Sequence, residues 1–327
     1  MTLDWNVLDI DAASEVERVG EELRETAATV LRKRGAVVAI SGGVDSSVCA
    51  ALAVRAFGRE RVLALILPER ESAPESRMRA RSLAAHLGFT PIEQDLTSTL
   101  EAIGSYRCRD EAVRRVLPEY GAGWRMKIVV AGGLQGRINH FRLVAESPGG
   151  TRHESRLGLP EYLQIVAATN FKQRLRKTIE YYHADRLNYL VIGTPNRLEY
   201  DQGFFVKNGD GAADVKPIAH LYKSQVYALA QSLSLPPDIA TAPPTTDTYS
   251  LSQGQDEFYF ALPYRQMDLA LWALNHGMES GQLATVLGIS PELAGRVYDD
   301  IRAKRRATRY LHRQPLLLGQ VPELDGE

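Results

Sequence analysis

Ala36-Val-Val-Ala-Ile-Ser-Gly-Gly-Val-Asp-Ser-Ser47 contains a strand signal, a turn signal and a helix signal in direct succession. Its first five residues form a short apolar run typical of a buried strand, and from Val44 the chain stays apolar through Ala56, as in a buried helix. The pair Gly42-Gly43 lies between them and lets the backbone approach a ligand closely. A strand, a glycine turn and a helix N-terminus form an anion site, because the first helical amides lack intrahelical partners and the helix dipole adds positive charge.

The polar side chains of this loop suit a bound phosphate. Ser41, Ser46 and Ser47 supply hydroxyl donors, and Asp45 supplies a carboxylate that can hold a metal ion near phosphates. Two other phosphate loops are excluded, because a Walker loop ends in Gly-Lys-Ser/Thr and a dinucleotide fingerprint needs a third glycine where Ser46 stands. The alternative interpretation is an ordinary strand–turn–helix with polar turn residues.

The composition is that of a globular protein. With 327 residues, 44% hydrophobic and 24% charged, the chain suits one large domain or one with a small appendage. No apolar run approaches the roughly 20 residues that span a bilayer, and no secretory signal is recognisable. The formal charge of −1 argues against a protein that coats nucleic acid non-specifically. Cys49 and Cys108 do not indicate a disulfide framework, so a cytoplasmic setting is expected.

Apolar strands alternate with helical patterns along the chain. This order predicts crossover units and a parallel sheet, in which ligands bind beyond the carboxyl ends of the strands, where residues 41–47 lie. Besides the first strand, the pattern predicts strands at residues 61–67, 89–96 and 188–192 and helices at residues 14–32, 74–87, 161–183 and 223–233.

Residues 100–160 carry a weaker pattern. Residues 100–116 are typical of a helix, and residues 127–131 and 137–144 favour a two-stranded excursion around Gly132-Gly133. A long loop in a compact domain is usually a lid, a binding element or a disordered segment, and the sequence leaves these three open.

Polar residues collect after the fourth strand. Thr194 lies at the carboxyl end of that strand, and residues 203–214 place Lys207, Asp210 and Asp214 among three glycines. The alternative is a flexible surface turn, but the Phe-Phe-Val run within this segment indicates that it packs.

The helix predicted at residues 161–183 carries a polar row. Asn170, Arg174 and Lys177 share one face, because residues three or four apart are neighbours on a helix. Taken alone, the row is better explained as a solvated charged face, since most charged side chains are exposed.

Six ordered segments later in the chain, together with the loop, resemble the ammonia-dependent NAD synthetases. These enzymes have an SGGxDS ATP pyrophosphatase loop and cleave ATP between its α and β phosphates. The resemblance runs from about residue 14 to the C-terminal tail, apart from residues 100–160. The matching segments are Ser41-Gly42-Gly43-Val44-Asp45-Ser46, Asn170-Phe-Lys-Gln-Arg174-Leu-Arg176, Gly193-Thr194 with Glu199, Gly203-Phe-Phe-Val-Lys207 with Gly209-Asp210 and Asp214, Leu221-Tyr-Lys223, Pro244-Thr-Thr-Asp247, and Gln255-Asp-Glu257 with Tyr264 and Asp268.

The resemblance implies an α/β fold, a doubly wound parallel sheet like that of the adenine-nucleotide alpha-hydrolases, with a helical C-terminal extension. It implies an ATP pyrophosphatase/NAD synthetase domain at residues 1–270, with residues 100–160 as an atypical excursion, and the extension at residues 271–327. The implied activity is that of an ATP-dependent amide ligase. The carboxylate of deamido-NAD attacks the α-phosphorus of ATP, pyrophosphate leaves, and ammonia displaces AMP to give NAD.

The resemblance also implies roles for individual residues. ATP and the departing pyrophosphate would be bound by Ser41, Gly42, Gly43, Val44, Asp45, Ser46, Ser47, Arg174, Thr194, Lys223 and Thr245. Asp45 and Glu199 would hold Mg²⁺. The catalytic candidates are Lys207, Asp210, Asp214 and Lys223, with Asp210 or Asp214 as the group that binds the incoming ammonium or takes its proton. No side-chain nucleophile is needed.

Four positions, Gln173, Lys177, Asn208 and Ala261, depart from the family pattern. They concern the acceptor pocket more than the ATP site. One alternative is therefore the same chemistry on a different nucleotide-like or secondary-metabolite carboxylate. The nitrogen is expected to come from free ammonia or from a separate glutaminase, and the family resemblance implies a homodimer.

Near the C-terminus, residues 279–287 and 290–309 predict two helices, with Ser290 as N-cap and Pro291 at the first helical position of the second. The pair is similar to a helix-turn-helix, and its second helix is made basic by Arg302, Lys304, Arg305, Arg306 and Arg309. A non-catalytic ATP- or DNA-binding regulator is therefore an alternative. A tail that binds substrate phosphates is preferred, because the segment also resembles the C-terminal helices of the synthetases.

Overall fold

The computed structural model describes residues 3–131, 140–244, 248–254, 259–260 and 262–319. The strands, in chain order, are β1 (Ala36–Ala39), β2 (Val62–Ile66), β3 (Ile92–Glu93), β4 (Arg125–Ala131), β5 (His140–Glu146), β6 (Arg152–Arg156) and β7 (Leu190–Val191). Within the described part of the chain, β3-β2-β1-β7 form a parallel sheet in that order, with Val37 opposite Leu63 and Val191. The four parallel strands predicted from the sequence are confirmed.

Helices cover this sheet and continue beyond it. In chain order they are α1 (Ala12–Glu25), α2 (Val44–Phe57), α3 (Pro74–Leu87), α4 (Thr97–Ala102), α5 (Ser105–Arg114), α6 (Leu159–Leu187), α7 (Arg197–Gln202), α8 (Lys223–Ser232), α9 (Pro237–Ala240), α10 (Tyr264–Asn275), α11 (Ser280–Leu287) and α12 (Pro291–Thr308). Short 3₁₀ turns occupy Trp5–Leu8, Arg59–Arg61 and Arg309–His312, and a π turn, Thr26–Val30, continues α1. None of the described helices combines the length and apolar character needed to cross a bilayer.

Two hydrophobic cores cover the two faces of the parallel sheet. Val38 and Ala64 pack in one core with α1, α2 and α8, whereas Val37 and Leu65 pack in the other with side chains of α4, α5 and α6. Successive side chains of a strand point to opposite faces, so the alternation shows helices on both sides. The doubly wound fold predicted from the sequence is confirmed.

A second, antiparallel sheet lies between α5 and α6. Its strands are ordered β4-β5-β6, with Lys127 opposite Val144 and Val144 opposite Glu154. The sequence predicted two strands here, and the prediction missed β6 because all five of its residues are polar and none is buried. The turn predicted at Gly132-Gly133 lies outside the described residues. Residues 100–131 and 140–160 therefore form two helices and a sheet instead of a long loop.

The C-terminal helices share a third core. Side chains of α10, α11 and α12 pack together with those of Leu198 and Tyr222. Ser290 caps α12 by accepting the N–H of Leu293 at 3.2 Å, and Pro291 occupies its first turn, as predicted. The division of the chain at residue 270 stays a prediction, and residue 270 itself lies inside α10, whose core is also that of α11 and α12.

The basic side chains of α12 are partly committed to the protein itself. Lys304 Nζ donates to Tyr259 O and to Asp300, both at 2.6 Å, and Arg305 binds both oxygens of Asp201 at 2.6 Å. A recognition helix presents its cations to nucleic acid. Lys304 and Arg305 instead fix α12 against the rest of the chain, whereas Arg302, Arg306 and Arg309 are exposed.

Gly203, which ends α7, allows a test of the contact between α7 and α12. Its φ is 72°, and a Cβ there would overlap the side chain of Thr308 in α12. Gly203→Ala is expected to lower the free energy of unfolding by about 2–4 kcal/mol, because backbone strain and steric overlap add. Gly288→Ala is the matched control, since Gly288 has φ 66° but open space around its Cβ position, and it is expected to cost about 1–2 kcal/mol. Equal losses in urea unfolding would contradict the overlap with Thr308.

Candidate active site

Residues 41–47, the predicted phosphate loop, follow β1 and include the first turn of α2. The serines of this loop hold its shape. Ser46 Oγ accepts the N–H of Ser41 at 3.2 Å and donates to Gly43 O at 3.1 Å. Ser47 Oγ donates to the same carbonyl at 2.8 Å. These bonds fix the shape of the loop, and the hydroxyl of Ser47 is engaged within it.

The turn itself depends on Gly42. Its φ is 79°, and a Cβ there would overlap the backbone carbonyl of Ser76 at the start of α3. Gly43 is the N-cap of α2 and makes no side-chain cap. The first amides of α2 therefore remain available to an anion, as the sequence predicts.

A buried polar cluster forms where α2, α7 and α8 begin. Lys223, the first residue of α8, has a side chain only 2% exposed, and its Nζ forms an ion pair with Asp45. Asn196, the N-cap of α7, donates its Nδ2 to Asp45 Oδ1 at 3.0 Å, and its backbone N–H donates to Glu199 Oε2 at 3.1 Å. Burial lowers the pKa of the Lys223 ammonium, but the Asp45 and Glu199 carboxylates outweigh it and hold that pKa above its usual value. Three helix N-termini thus bring Asp45, Glu199 and Lys223 together.

Asp268 of α10 fixes the start of α8. Its fully buried carboxylate accepts the backbone N–H of Lys223 at 3.1 Å and that of Ser224 at 2.7 Å. Burial raises the pKa of Asp268 to about 7, against these hydrogen bonds, which lower it. The sequence marked Asp268 only as a family position, and its role as a cap depends on a contact between distant helices.

The raised pKa of Asp268 has a consequence for stability that one variant can isolate. The folded-state pKa of about 7 exceeds the usual 3.8, so between these values the folded state holds an extra proton. The contribution of Asp268 to stability therefore falls as the pH rises from about 4 to 7. Asp268→Asn, which does not titrate, is expected to remove this fall, as measured by urea unfolding of both proteins across this range. A pH-independent difference between their free energies of unfolding would contradict the raised pKa.

A cavity of about 1180 Å³ lies beyond the carboxyl edge of the parallel sheet. Its lining includes these residues singled out in the sequence: Ser41, Gly43, Val44, Asp45, Ser46, Arg174, Thr194, Glu199, Lys207, Asp210 and Lys223. Among the described candidates, Gly42, Ser47 and Asp214 do not line it, and Thr245 lies outside the described residues. Sites for one small ligand usually measure about 300–1,000 Å³, so this cavity has room for two substrates.

Lys207 and Arg174 connect the cavity wall to the C-terminal segment. Lys207 Nζ donates to the carbonyls of Tyr310 at 2.8 Å and Arg313 at 3.0 Å. Arg174 Nε donates to the carbonyl of Lys207 at 3.3 Å. The ammonium of Lys207 therefore holds the segment that follows α12.

The two predicted aspartates lie in different surroundings. Asp210 lines the cavity, and its Oδ1 accepts the N–H of Val206 at 2.7 Å. Burial raises the pKa of Asp210, although that hydrogen bond opposes the rise. Asp214 instead accepts the N–H of Val191 in β7 at 2.7 Å and the hydroxyl of Tyr181 at 3.3 Å. The structure brings Asp210 to the other site candidates but not Asp214.

Sequence reasoning missed a charged network on the cavity wall. Lys172 of α6, 3% exposed, donates its Nζ to Glu69 at 3.0 Å, Glu71 at 2.7 Å and Thr248 O at 3.2 Å. Burial raises the pKa of Glu71, but Lys172 and Arg109 outweigh it and hold that pKa below its usual value. The motif of α6 marked Lys172, whereas no local signal marked its partners after β2.

Lys177, also on α6, is buried as well, which the sequence analysis did not predict. A solvated face is the wrong explanation for it, because its side chain is buried and pairs with Glu180 at 2.7 Å. Both residues line the cavity, as do Asn170 and Arg174 of the same row. The three-residue spacing of Lys177 and Glu180 was a readable signal for the pair, but burial was not.

The parallel sheet has helices on both faces. The predicted phosphate loop lies at its carboxyl edge, with a cation–carboxylate cluster beside it. Together these features define an α/β nucleotide-binding protein. The chain belongs to the NAD synthase family, whose model matches residues 15–141 and 150–311. The match includes most of residues 100–160, which the motif resemblance left out.

The chain is similar over nearly its whole length to proteins named NH(3)-dependent NAD(+) synthetase. The relative from Mesorhizobium japonicum is 54% identical over 318 residues, which cover 97% of this chain and 100% of the relative. The relative from Rhizobium meliloti is 54% identical over 321 residues, covering 98% and 96%. A solved structure of NMN synthetase from Francisella tularensis has a TM-score of 0.66 at 22% identity, covering 94% of this chain and 99% of that one, and supports the fold.

Proposed function

We propose that this chain is a carbon–nitrogen ligase that converts deamido-NAD to NAD with ATP and ammonia. The observation that carries the proposal is the phosphate loop with Asp45, Lys223 and Glu199 beside it, at the edge of a cavity large enough for two substrates. The full-length similarity to NH(3)-dependent NAD(+) synthetases supports deamido-NAD as the acceptor. Those relatives favour this activity over a non-catalytic regulator.

The chemistry requires activation of a carboxylate, which is a poor electrophile. A carboxylate oxygen of deamido-NAD forms a bond to the α-phosphorus of ATP while the bond from that phosphorus to pyrophosphate breaks. Ammonia then bonds to the carboxyl carbon, AMP leaves with the carboxylate oxygen, and a proton is released. The protein chiefly orients the reactants and stabilises the charge that develops. We assign phosphate binding to the amides at the start of α2 and to the side chains of Ser41, Arg174, Thr194 and Lys223, together with Thr245.

Mg²⁺ is the metal that suits the donor set of this site. Asp45 and Glu199 are carboxylates linked through Asn196, and Mg²⁺ is usually bound by one or two carboxylates together with substrate phosphates. The described residues hold no cluster of three or more His, Cys, Asp or Glu side chains able to bind a metal, so ATP would have to complete the coordination. When bound, Mg²⁺ would neutralise charge on the phosphates.

The acceptor side of the cavity is assigned to Lys207 and Asp210. Asp210 is better placed than Asp214 to bind ammonium or to take a proton from it, because Asp210 lines the cavity. Burial raises the pKa of Asp210, which makes it the stronger base. Asp214 is the weaker candidate, since it is bonded to β7 and Tyr181.

We further propose a homodimer in the cytoplasm that uses free ammonia or the product of a separate glutaminase. The exposed apolar side chains Leu159 and Leu163, one turn apart on α6, support a subunit contact. Both cysteines are free, which supports a reducing compartment. Light scattering of the purified protein tests the dimer.

The test of function is an assay with ATP, Mg²⁺, ammonium and deamido-NAD, in which NAD and pyrophosphate are measured separately. Equal amounts of both products are expected. Nicotinic acid mononucleotide, which carries the same pyridine carboxylate, is the comparison acceptor. Pyrophosphate release with other carboxylates but not with deamido-NAD would reject the assignment to NAD.

A further inference from the structure

Where the antiparallel sheet meets α6, the wall of the cavity is aromatic. Phe141 of β5 and Tyr162 of α6 stack with ring centroids 3.8 Å apart and an interplanar angle of 12°. Both rings are half-buried and line the cavity, beside Val130 and Val166. Because only one face of each ring is used in their mutual stack, the pair can present a further face to a planar ligand.

The position of this stack follows from the course of α6. Arg176 Nε donates to the carbonyl of Leu67, the residue directly after β2, at 3.1 Å, so Arg176 lies level with the carboxyl edge of the sheet. The C-terminal part of α6 runs back along the sheet, since Ala184 packs with Val37 and Val191. The helix rises about 21 Å between Tyr162 and Arg176. Tyr162 therefore lies far beyond the edge at which the phosphate loop is placed.

The antiparallel sheet that carries Phe141 is fixed to the rest of the site. Leu251 N donates to Met126 O at 3.1 Å, and Gln253 Nε2 donates to Ile128 O at 2.7 Å, so residues 250–253 cover the outer edge of β4. The buried side chain of Tyr249 packs in the same core as Met126 and Ile128. The stack is thus a rigid part of the cavity wall.

We propose that the Phe141–Tyr162 stack is the platform for the adenine ring of the dinucleotide substrate. This inference rests on the proposed function. The nicotinate carboxylate must meet the α-phosphorus of ATP at the edge of the sheet, so the nicotinate ring cannot lie on the distant stack. The adenine of ATP is separated from that phosphorus by a single ribose. The adenine of deamido-NAD is separated from its reacting carboxylate by two riboses, two phosphates and the pyridine ring. Of the two adenines, that of deamido-NAD can therefore lie farther from the reacting centre.

The test is a comparison of KM values in Phe141→Leu and Tyr162→Leu, each of which keeps apolar bulk and removes one ring. Stacking of a base on an aromatic side chain predicts that the KM for deamido-NAD rises roughly 5- to 150-fold. The KM for ATP and the kcat/KM for nicotinic acid mononucleotide, which lacks the adenosine half, are expected to stay unchanged. Phe141→Tyr keeps the ring and is expected to restore the wild-type KM. Tyr182→Ala, which removes an exposed ring from the same helix outside the cavity lining, is the control.

The possible outcomes are distinct. An unchanged KM for deamido-NAD in both leucine variants, or a rise in the KM for ATP of equal size, would overturn the platform. If both leucine variants fail to fold, the wild type alone decides. An upfield shift of the adenine H2 and H8 signals of deamido-NAD on binding supports the stack, and its absence rejects it. Wild-type protein that makes no NAD from deamido-NAD rejects the proposed function itself.

Discussion

Asp45→Asn is expected to lower kcat for NAD formation by about 100-fold or more. The carboxylate of Asp45 receives Lys223 Nζ and Asn196 Nδ2 and lies in the phosphate loop, so its removal disturbs charge and orientation together. The structure also predicts a loss of stability of about 3 kcal/mol, because the variant leaves the ammonium of a buried lysine without its closest carboxylate. Steady-state kinetics and urea unfolding measure the two effects separately.

Two further variants complete this experiment. Glu22→Gln removes a carboxylate from its ion pair with Arg18 on α1, away from the cavity, and is expected to leave kcat unchanged. Glu199→Gln should resemble Asp45→Asn, with half-maximal activity at a higher Mg²⁺ concentration. Near-normal turnover in either site variant would remove that residue from the proposed metal site.

Lys223→Met is expected to reduce kcat by a similar factor of about 100 or more, because a cation beside the transferring phosphoryl group is lost. It should also lower the free energy of unfolding by about 3–5 kcal/mol, since Asp45 then lacks its buried partner. The double variant Asp45→Asn/Lys223→Met distinguishes these effects. Its stability loss should be smaller than the sum of the single losses, because no lone charge remains, while kcat stays low.

Lys33→Met is the control for Lys223→Met. Lys33 Nζ donates to Asn188 at 3.3 Å outside the cavity, and its loss is expected to change neither kcat nor stability by more than about 0.5 kcal/mol. Additive stability losses in the double variant would show that Asp45 and Lys223 do not interact in solution.

Local sequence signals were sufficient for the centre of the fold. The apolar runs at β1, β2 and β7 and the glycine turn after β1 are short-range features, so their strand and loop structure could be predicted. The helix that begins at Pro291 could be predicted for the same reason, because its cap and first turn lie in adjacent residues.

The site was less predictable, because its key contacts join distant segments. Asp268 caps α8 from α10, and Lys172 binds Glu69 and Glu71 of one loop and Thr248 of another. The type of residue showed that charges were present but not which ones would be buried. Asn196 was the exception that could have been found, since the spacing Asn196-x-x-Glu199 is that of a capping box.

The contact of Lys207 with Tyr310 and Arg313 has a consequence for the order in which the molecule forms. The lining of the cavity starts with residues near β1 and ends with α12, Tyr310 and Leu311. Contacts between such distant parts of a chain are slow to form, because the long intervening loop must first be closed. The phosphate loop can therefore take shape early, from neighbouring residues, while the enclosed space beside it is completed only when the C-terminal residues have been made and docked. A ribosome-bound chain that lacks α12 would have the loop but not the closed cavity.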